Sequence, residues 1–352
     1  MIDMAIKSSN GFIDKVMRYI LNTWERTQLV ICFVLVVLIA MSPLVIRSPY
    51  YIGIIILATL YAYIGITWNI VAGFTGQLLI AHIIFIAFGA YTTIVLQNKF
   101  GISPWIGLLA SGVVAALLGV IVAFITLRYG LKMDYFGLFT IALMTALRSL
   151  FLKWDFVGGG IGMWVSLANT SFVNMIFQHK EPYLYIALFL VVLGLFIQYR
   201  IYNSKMGRYF VAIREDEDAA SALGVNTALY KTIAVVISAT MAGIGGGFYV
   251  MYVTFIDPNQ LFNLGLNVEM VMAAPIIGGL GSIAGPLLGA LLNKPLAELI
   301  RGFLTVGTSG TSLIVYGTFL IVTILFLPRG IAGLLQNQYN KLRIRVYGEE
   351  KG

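Results

Sequence analysis

The chain has 352 residues, of which 59% are hydrophobic and only 11% charged, with 37 glycines, 22 phenylalanines and 19 tyrosines. Soluble domains are about half apolar and about one quarter charged, so an ordinary soluble enzyme or regulator is excluded and a polytopic membrane protein is expected. The net charge of +8 does not indicate nucleic acid, because the basic residues recur at the ends of apolar runs instead of forming one stripe. The single Cys32 excludes a disulfide framework.

Residues 1–27 carry Lys7, Lys15, Arg18 and Arg26, while Ile13, Val16, Met17, Ile20, Leu21 and Trp24 repeat at helical spacing. That pattern predicts an amphipathic helix on the inner membrane surface, and no small-residue cleavage site marks a removable signal peptide. A span needs about 20 mostly apolar residues. Such runs centre on 28–46, 50–71, 77–97, 104–127, 135–152, 182–199 and 230–256, and the region 266–327 divides at glycines into 266–280, 286–305 and 311–327. Short Gly/Pro-interrupted runs there leave room for a re-entrant half-helix.

With the N-terminus inside, alternation puts 1–27, 128–134, 200–231 and the basic tail 328–352 in the cytoplasm. Those segments hold most of the 23 lysines and arginines, which satisfies the positive-inside rule and makes the number of crossings even. The expected fold is therefore an all-α polytopic membrane protein of about ten transmembrane helices over 28–327, eight being the alternative count, with both termini cytoplasmic. The polar, Gly-rich stretch 155–181 is expected to be a partly helical external loop, with Trp164, Phe172 and Phe177 at the interface.

One polar island, 203–224, interrupts the apolar pattern. Four of the 15 acids, Glu215, Asp216, Glu217 and Asp218, stand there side by side, and ionised carboxylates cannot lie in lipid. They run consecutively, so on a helix they point in successive directions and do not converge on one cation. Acids first, then Ala219, Ala220, Ser221, Ala222 and Leu223, then Gly224, describe a short helix whose negative charge sits at its positive end and whose glycine stops it. A docking helix with small side chains is the expected form; a solvated loop is the alternative.

Small residues recur every fourth position in Ser111, Ala115, Gly119 and Ala123, in Ala239, Gly243 and Gly247, and in Gly281, Gly285 and Gly289. Close helix packing accounts for these; bending of the backbone around a pathway at 243–247 and 278–285 is the further reading. Pro286 suits the first turn of a helix. Polar groups at membrane depth are Asn69, Gln77, His82, Arg148, Asn267, Glu269, Lys294, Glu298 and Arg301, each of which needs a partner or water. Glu298 and Arg301, three apart, can satisfy each other, which leaves Glu269 as the unpaired acid. Neither a phosphate loop nor a helical histidine pair occurs, and His82 and His179 are far apart. No metal, cofactor, nucleic-acid partner or catalysis of its own is expected.

Several motifs then coincide: Gly73-Phe-Thr-Gly-Gln77 with His82 and Gly89-Ala-Tyr91; Asp134-Tyr-Phe136 with Arg148; Gly207-Arg208, then Ala212 to Glu217 and Ala219 to Gly224; Gly278-Gly-Leu-Gly-Ser282 with Gly285-Pro286; and Phe326-Leu-Pro-Arg-Gly330. Over about residues 60–335 the chain resembles the LivM-type permease subunits of branched-chain amino acid importers, a family that also takes urea, amides and related solutes. It departs from the pattern at Leu79-Ile-Ala81, at Thr145 and at Val157 to Gly162.

The resemblance implies that the chain forms half of a translocation pathway in the inner membrane. It implies partnership with a homologous second permease, two ATP-binding-cassette ATPases and an extracytoplasmic solute-binding protein. On that basis Gly207, Arg208, Arg214, Glu215 to Asp218, Ala219, Ala220 and Gly224 are the expected ATPase-coupling residues. Asn69, Gln77, His82, Arg148, Glu269, Gly278, Gly279 and Gly281 are the expected pathway residues. An ion-coupled secondary transporter is the alternative class, for which Glu269 would carry the coupling ion.

Overall fold

Where no water is at hand, backbone groups must bond within their own segment, and long apolar runs therefore close into helices. The computed structural model describes residues 24–129, 133–166, 170–303 and 309–347. Its long helices are α1 (Trp24–Val45), α2 (Pro49–Trp68), α3 (Ile83–Phe100), α4 (Pro104–Arg128), α5 (Met133–Lys153), α6 (Glu181–Tyr202), α9 (Thr227–Val253), α13 (Gly285–Phe303), α14 (Ser309–Phe326) and α15 (Gly330–Tyr347). Between α6 and α9 lie α7 (Lys205–Glu215) and α8 (Glu217–Ala222); between α9 and α13 lie α10 (Pro258–Leu261), α11 (Leu264–Asn267) and α12 (Ala273–Gly278). The amphipathic helix expected within 1–23 falls outside the described residues.

Among the described residues, eight helical stretches are long and apolar enough to cross a bilayer. The other two of the ten predicted spans are built differently. Residues 264–278 form a short apolar helix, and α13 carries Lys294, Glu298 and Arg301 on a full-length helix. The predicted run at 77–97 also starts late: 75–82 is not helical, because α2 runs on through a π-helical turn (Asn69–Phe74) and the chain unwinds before Ile83. The basic tail holds a helix, α15, that was not anticipated.

The small-residue stripes mesh with one another. A Cβ on Gly243 would run into Ala115 Cβ and the Ser111 carbonyl, and one on Gly119 would meet Ala239 Cβ at 2.9 Å. On the other side of α9, Gly246 abuts the Ile86 backbone and Gly89 abuts that of Gly243. Thus α3, α4 and α9 pack backbone to backbone, the arrangement small residues permit in lipid. Bulky groups face outward instead, among them Leu109, Val113, Leu117 and Phe124 on α4 and Tyr185, Phe189 and Phe196 on α6. Cys32 is buried.

The described part of the loop 155–181 contains two 3-10 turns and a strand, β1 (Met163–Trp164), paired antiparallel with β2 (Phe255–Ile256). Trp164 and Phe255 lie 4.4 Å apart across that pair, and Asn98 Nδ2 and Trp105 Nε1 donate to the carbonyls of Trp164 and Phe172. This end of the bundle is opposite the end that carries 203–226. At the latter end Trp24 of α1 packs on Tyr339 of α15, with ring centroids 5.3 Å apart.

Candidate functional site

Two broken helices meet at the end that carries the polar island. The first is α2 with its π turn, ending at Gly73 to Gln77; the second is the helix through α11, a π turn (Val268–Met272) and α12, ending at Gly278 to Ser282. The second break turns sharply because Gly279 and Gly281 adopt φ of 117° and 78°, a region that side chains disfavour. Such a turn exposes backbone groups that must be paired. Asn69, fully buried, does this: its Oδ1 accepts from Gly281 N at 2.8 Å and its Nδ2 donates to Ser282 O at 2.9 Å. Gln28 Oε1 accepts from the next two amides, Ile283 N at 2.7 Å and Ala284 N at 3.1 Å, and Gln198 Nε2 also donates to Ser282 O. Four helices thereby converge on one turn.

The polar island is tied to the other break. Ser204 caps α7, its hydroxyl accepting from Gly207 N at 3.1 Å. Gly207 sits where a Cβ would strike the Ile201 carbonyl, so α7 folds tightly back on the end of α6. Phe210 and Ile213 bury its inner face. At its last turn Arg214 donates through Nη1 to the Gly73 carbonyl at 2.9 Å and pairs with Glu215 at 2.7 Å. Asp216 then caps α8 by accepting from Ala219 N at 2.9 Å, a contribution of about 1 kcal/mol. Glu217, in the first turn of α8, pairs with Lys231 of α9.

The order of acids, alanines and glycine is thus a capped helix, with Gly224 at φ 86° ending it. Ala220 anchors it inward, while Ala219, Ala222 and Leu223, 86% exposed, stand out from the bundle. Arg208 and Asp218 are exposed as well.

A cleft of about 220 Å³ lies between the island and the first break, lined by Thr75, Gly76, Gln77, Phe136, Arg214 and Asp216 among others. Gln77 Nε2 is buried there without a hydrogen-bond partner among the described residues. His82 is elsewhere. Its Nε2 lies 3.0 Å from Thr67 Oγ1, and because that hydroxyl donates to the Ile64 carbonyl, the network assigns the ring proton to Nε2. His82 thus bridges α2 and the start of α3, an arrangement continued by Ser238 of α9 donating to Thr67 O at 2.6 Å. Asn267 holds the same region, accepting from Ile83 N at 2.9 Å and donating to Ile80 O.

Arg148 is not part of the junction: it donates through Nε and Nη2 to Asn259 Oδ1 on α10, at 3.1 and 2.7 Å, toward the opposite end. Glu269 is not unpaired either, which corrects the sequence expectation. Its Oε1 accepts from Lys294 Nζ at 3.1 Å and its Oε2 from Arg301 Nη2; Glu298 Oε1 joins Lys294 at 2.6 Å and Arg301 at 3.3 Å. Two acids and two bases thus form one neutral network inside the bundle. Lys294 Nζ also lies 5.0 Å over the Tyr61 ring.

Of the predicted pathway residues, then, Asn69, Gln77, Gly278, Gly279 and Gly281 come together with Arg214, whereas His82, Arg148 and Glu269 do not. Sequence reasoning missed Gln28 and Gln198. The only signal for these two was an amide within an apolar run. Among the described residues no cluster of three metal-ligating side chains occurs.

A family model described as the branched-chain amino acid transport system / permease component matches residues 50–324. The permease LivM of Salmonella typhimurium is 28% identical over 348 residues, covering 92% of this chain and 79% of the relative. LivM of Escherichia coli is 28% identical over 341 residues, covering 89% and 78%. LivH of Escherichia coli, also a branched-chain amino acid permease, is 28% identical over 301 residues, covering 79% and 92%. No solved structure matches. The resemblance first carried by scattered glycine and arginine motifs therefore holds across most of the sequence, and the chain belongs to the branched-chain amino acid transport system permease family.

Proposed function

We propose that this chain is the permease subunit of an ATP-driven importer of branched-chain amino acids. It sits in the cytoplasmic membrane beside a homologous second permease, with 203–224 and both termini in the cytoplasm. Two ATP-binding-cassette subunits dock on α8, and an extracytoplasmic binding protein delivers the solute at the end bearing 155–181. The chain itself performs no catalysis.

The observation that carries this reading is the Arg214 bond to the Gly73 carbonyl, because it links the exposed docking helix to the break in α2. Closure of the ATPase pair would pull on α7 and α8, and Arg214 would pass that displacement to Gly73. Asn69 then couples it to the turn at 279–284. Nucleotide would thus favour one of two arrangements of the broken helices, which is a population bias and not a chemical step. Gln77, with an unused amide in the cleft, is placed to gain a partner in the other arrangement.

An ion-coupled transporter fits less well, since Glu269 is matched by two cations and the relatives above are named permeases of one transport system. The test is uptake in vesicles holding the complete complex and its loaded binding protein. Leucine, isoleucine or valine should accumulate only when ATP is present on the ATPase side. Uptake driven by a proton or sodium gradient without ATP would overturn the proposal.

A further inference from the structure

The neutral network is not uniformly buried. Side-chain exposure rises from 3% at Lys294 and 8% at Glu269 to 21% at Glu298 and 47% at Arg301, so it opens on one side. Its depth follows from helix rise: Tyr61, beneath Lys294, lies about 18 Å along α2 from Pro49, close to the middle of a roughly 30 Å hydrocarbon core. Arg301 is seven residues, about 10 Å, further along α13, and its half-exposed guanidinium reaches back to Glu269, where protein or a watery route can receive it. The lipid-like faces of α4 and α6 are bulky and uncharged by contrast.

The bonding pattern at that opening is specific. Glu298 uses one oxygen, Oε1, for both Lys294 and Arg301, and among the described residues Oε2 has no partner. Arg301 presents Nη2 to Glu269 and Nη1 to Glu298 through the longer 3.3 Å contact. A carboxylate arriving on Nη1 can replace that contact with a stronger charge-assisted bond while Glu269 keeps Nη2. The ammonium of the same molecule can settle on Oε2 of Glu298. Both exchanges leave the network neutral, which a free carboxylate or a free amine alone would not.

We propose that Glu298 and Arg301 form a subsite for the α-ammonium and α-carboxylate of a zwitterionic amino acid on its route through the bundle. Lys294 and Glu269 act behind them as the fixed, buried counter-pair. The pair lies about 20 Å along α13 from Gly285, so the helix that starts at the junction turn also carries the subsite. This rests on the functional reading above.

The test uses the whole complex in vesicles. The double variant E298Q/R301Q keeps net charge and the Glu269 pair with Lys294, and it should assemble with native thermal stability and retain ATP hydrolysis. Leucine uptake should fall at least about tenfold, the loss of one charge-assisted bond. R301K keeps the charge but not the fork, and should give a smaller fall with a raised half-saturating concentration of loaded binding protein. Native uptake by E298Q/R301Q overturns the subsite; should that variant not assemble, native uptake by R301K does so. If the unaltered complex moves no amino acid, the functional reading fails and the subsite with it.

Discussion

Gly278→Val is expected to prevent the permease from forming a stable membrane complex. A Cβ at this position would run into the carbonyl oxygen and carbon of Gly285, well inside the 3.0 Å that real Cβ atoms keep. Neither obstacle is a flexible side chain. The turn between them is held on three sides by Asn69, Gln28 and Gln198, so it cannot give without breaking four or more hydrogen bonds. Next to it, Gly289 stands against the Ala274 carbonyl in the same manner, so the two segments must lie backbone to backbone.

Overpacking of this kind costs about 1–3 kcal/mol even where side chains can move. With backbone as the obstacle, recovery of folded protein from membranes should drop by about tenfold or more. Gly317→Ala is the comparison, since nothing lies within 4 Å of that position and alanine favours helix. Equal recovery of the two variants on size-exclusion chromatography would mean that the junction is looser than described.

Removing Glu269 should be nearly as damaging, for an electrostatic reason. Glu269→Ala leaves Lys294, almost fully buried, and Arg301 to share the single carboxylate of Glu298, with one positive charge uncompensated. Breaking a buried pair from one side costs about 3–5 kcal/mol, far more than the pair contributes against an apolar replacement. The double variant Glu269→Gln with Lys294→Met removes a charge of each sign. Its loss should be smaller than that of Glu269→Ala, and with the single variants Glu269→Gln and Lys294→Met it completes a cycle that gives the coupling between the two residues. Thermal unfolding in detergent reads this directly. A single variant as stable as the native protein would show that water already compensates Lys294.

Both effects depend on pairings that sequence could not display. The apolar runs named most of the helices because hydrophobic length is a local property. The short helix α8 was equally legible: Asp216 at the cap, alanines behind it and Gly224 at the end are all within one short stretch. Asn69 and Gly281 are separated by more than 200 positions, and no periodicity links them. Glu269 meets Lys294 and Arg301 only because the 264–278 helix folds against α13, so its neighbours in sequence made it look unpaired. The two spans that departed from expectation share that cause. Residues 264–278 are shorter than a full crossing because the chain breaks at Gly279 for the junction, and α13 tolerates three charges because its partners lie across that same fold.

The family motifs gave no contacts. Gly73, Arg214 and Gly278 to Ser282 were singled out as separate signatures, and it is the fold that brings them within one hydrogen-bonded cluster. Arg148 and His82, marked by the same motifs, are bound elsewhere, to Asn259 and Thr67. Their places indicate support of the turn at α10 and of the α2 to α3 crossing.

The link from docking helix to broken helix is the central claim, and Arg214→Ala tests it most directly. ATP hydrolysis and leucine uptake would be measured together in vesicles that hold the complete complex. A hydrogen bond from a charged donor is worth about 1.5–3 kcal/mol, so leucine moved per ATP should fall by roughly tenfold or more while hydrolysis continues. An unchanged ratio of leucine to ATP would contradict the account.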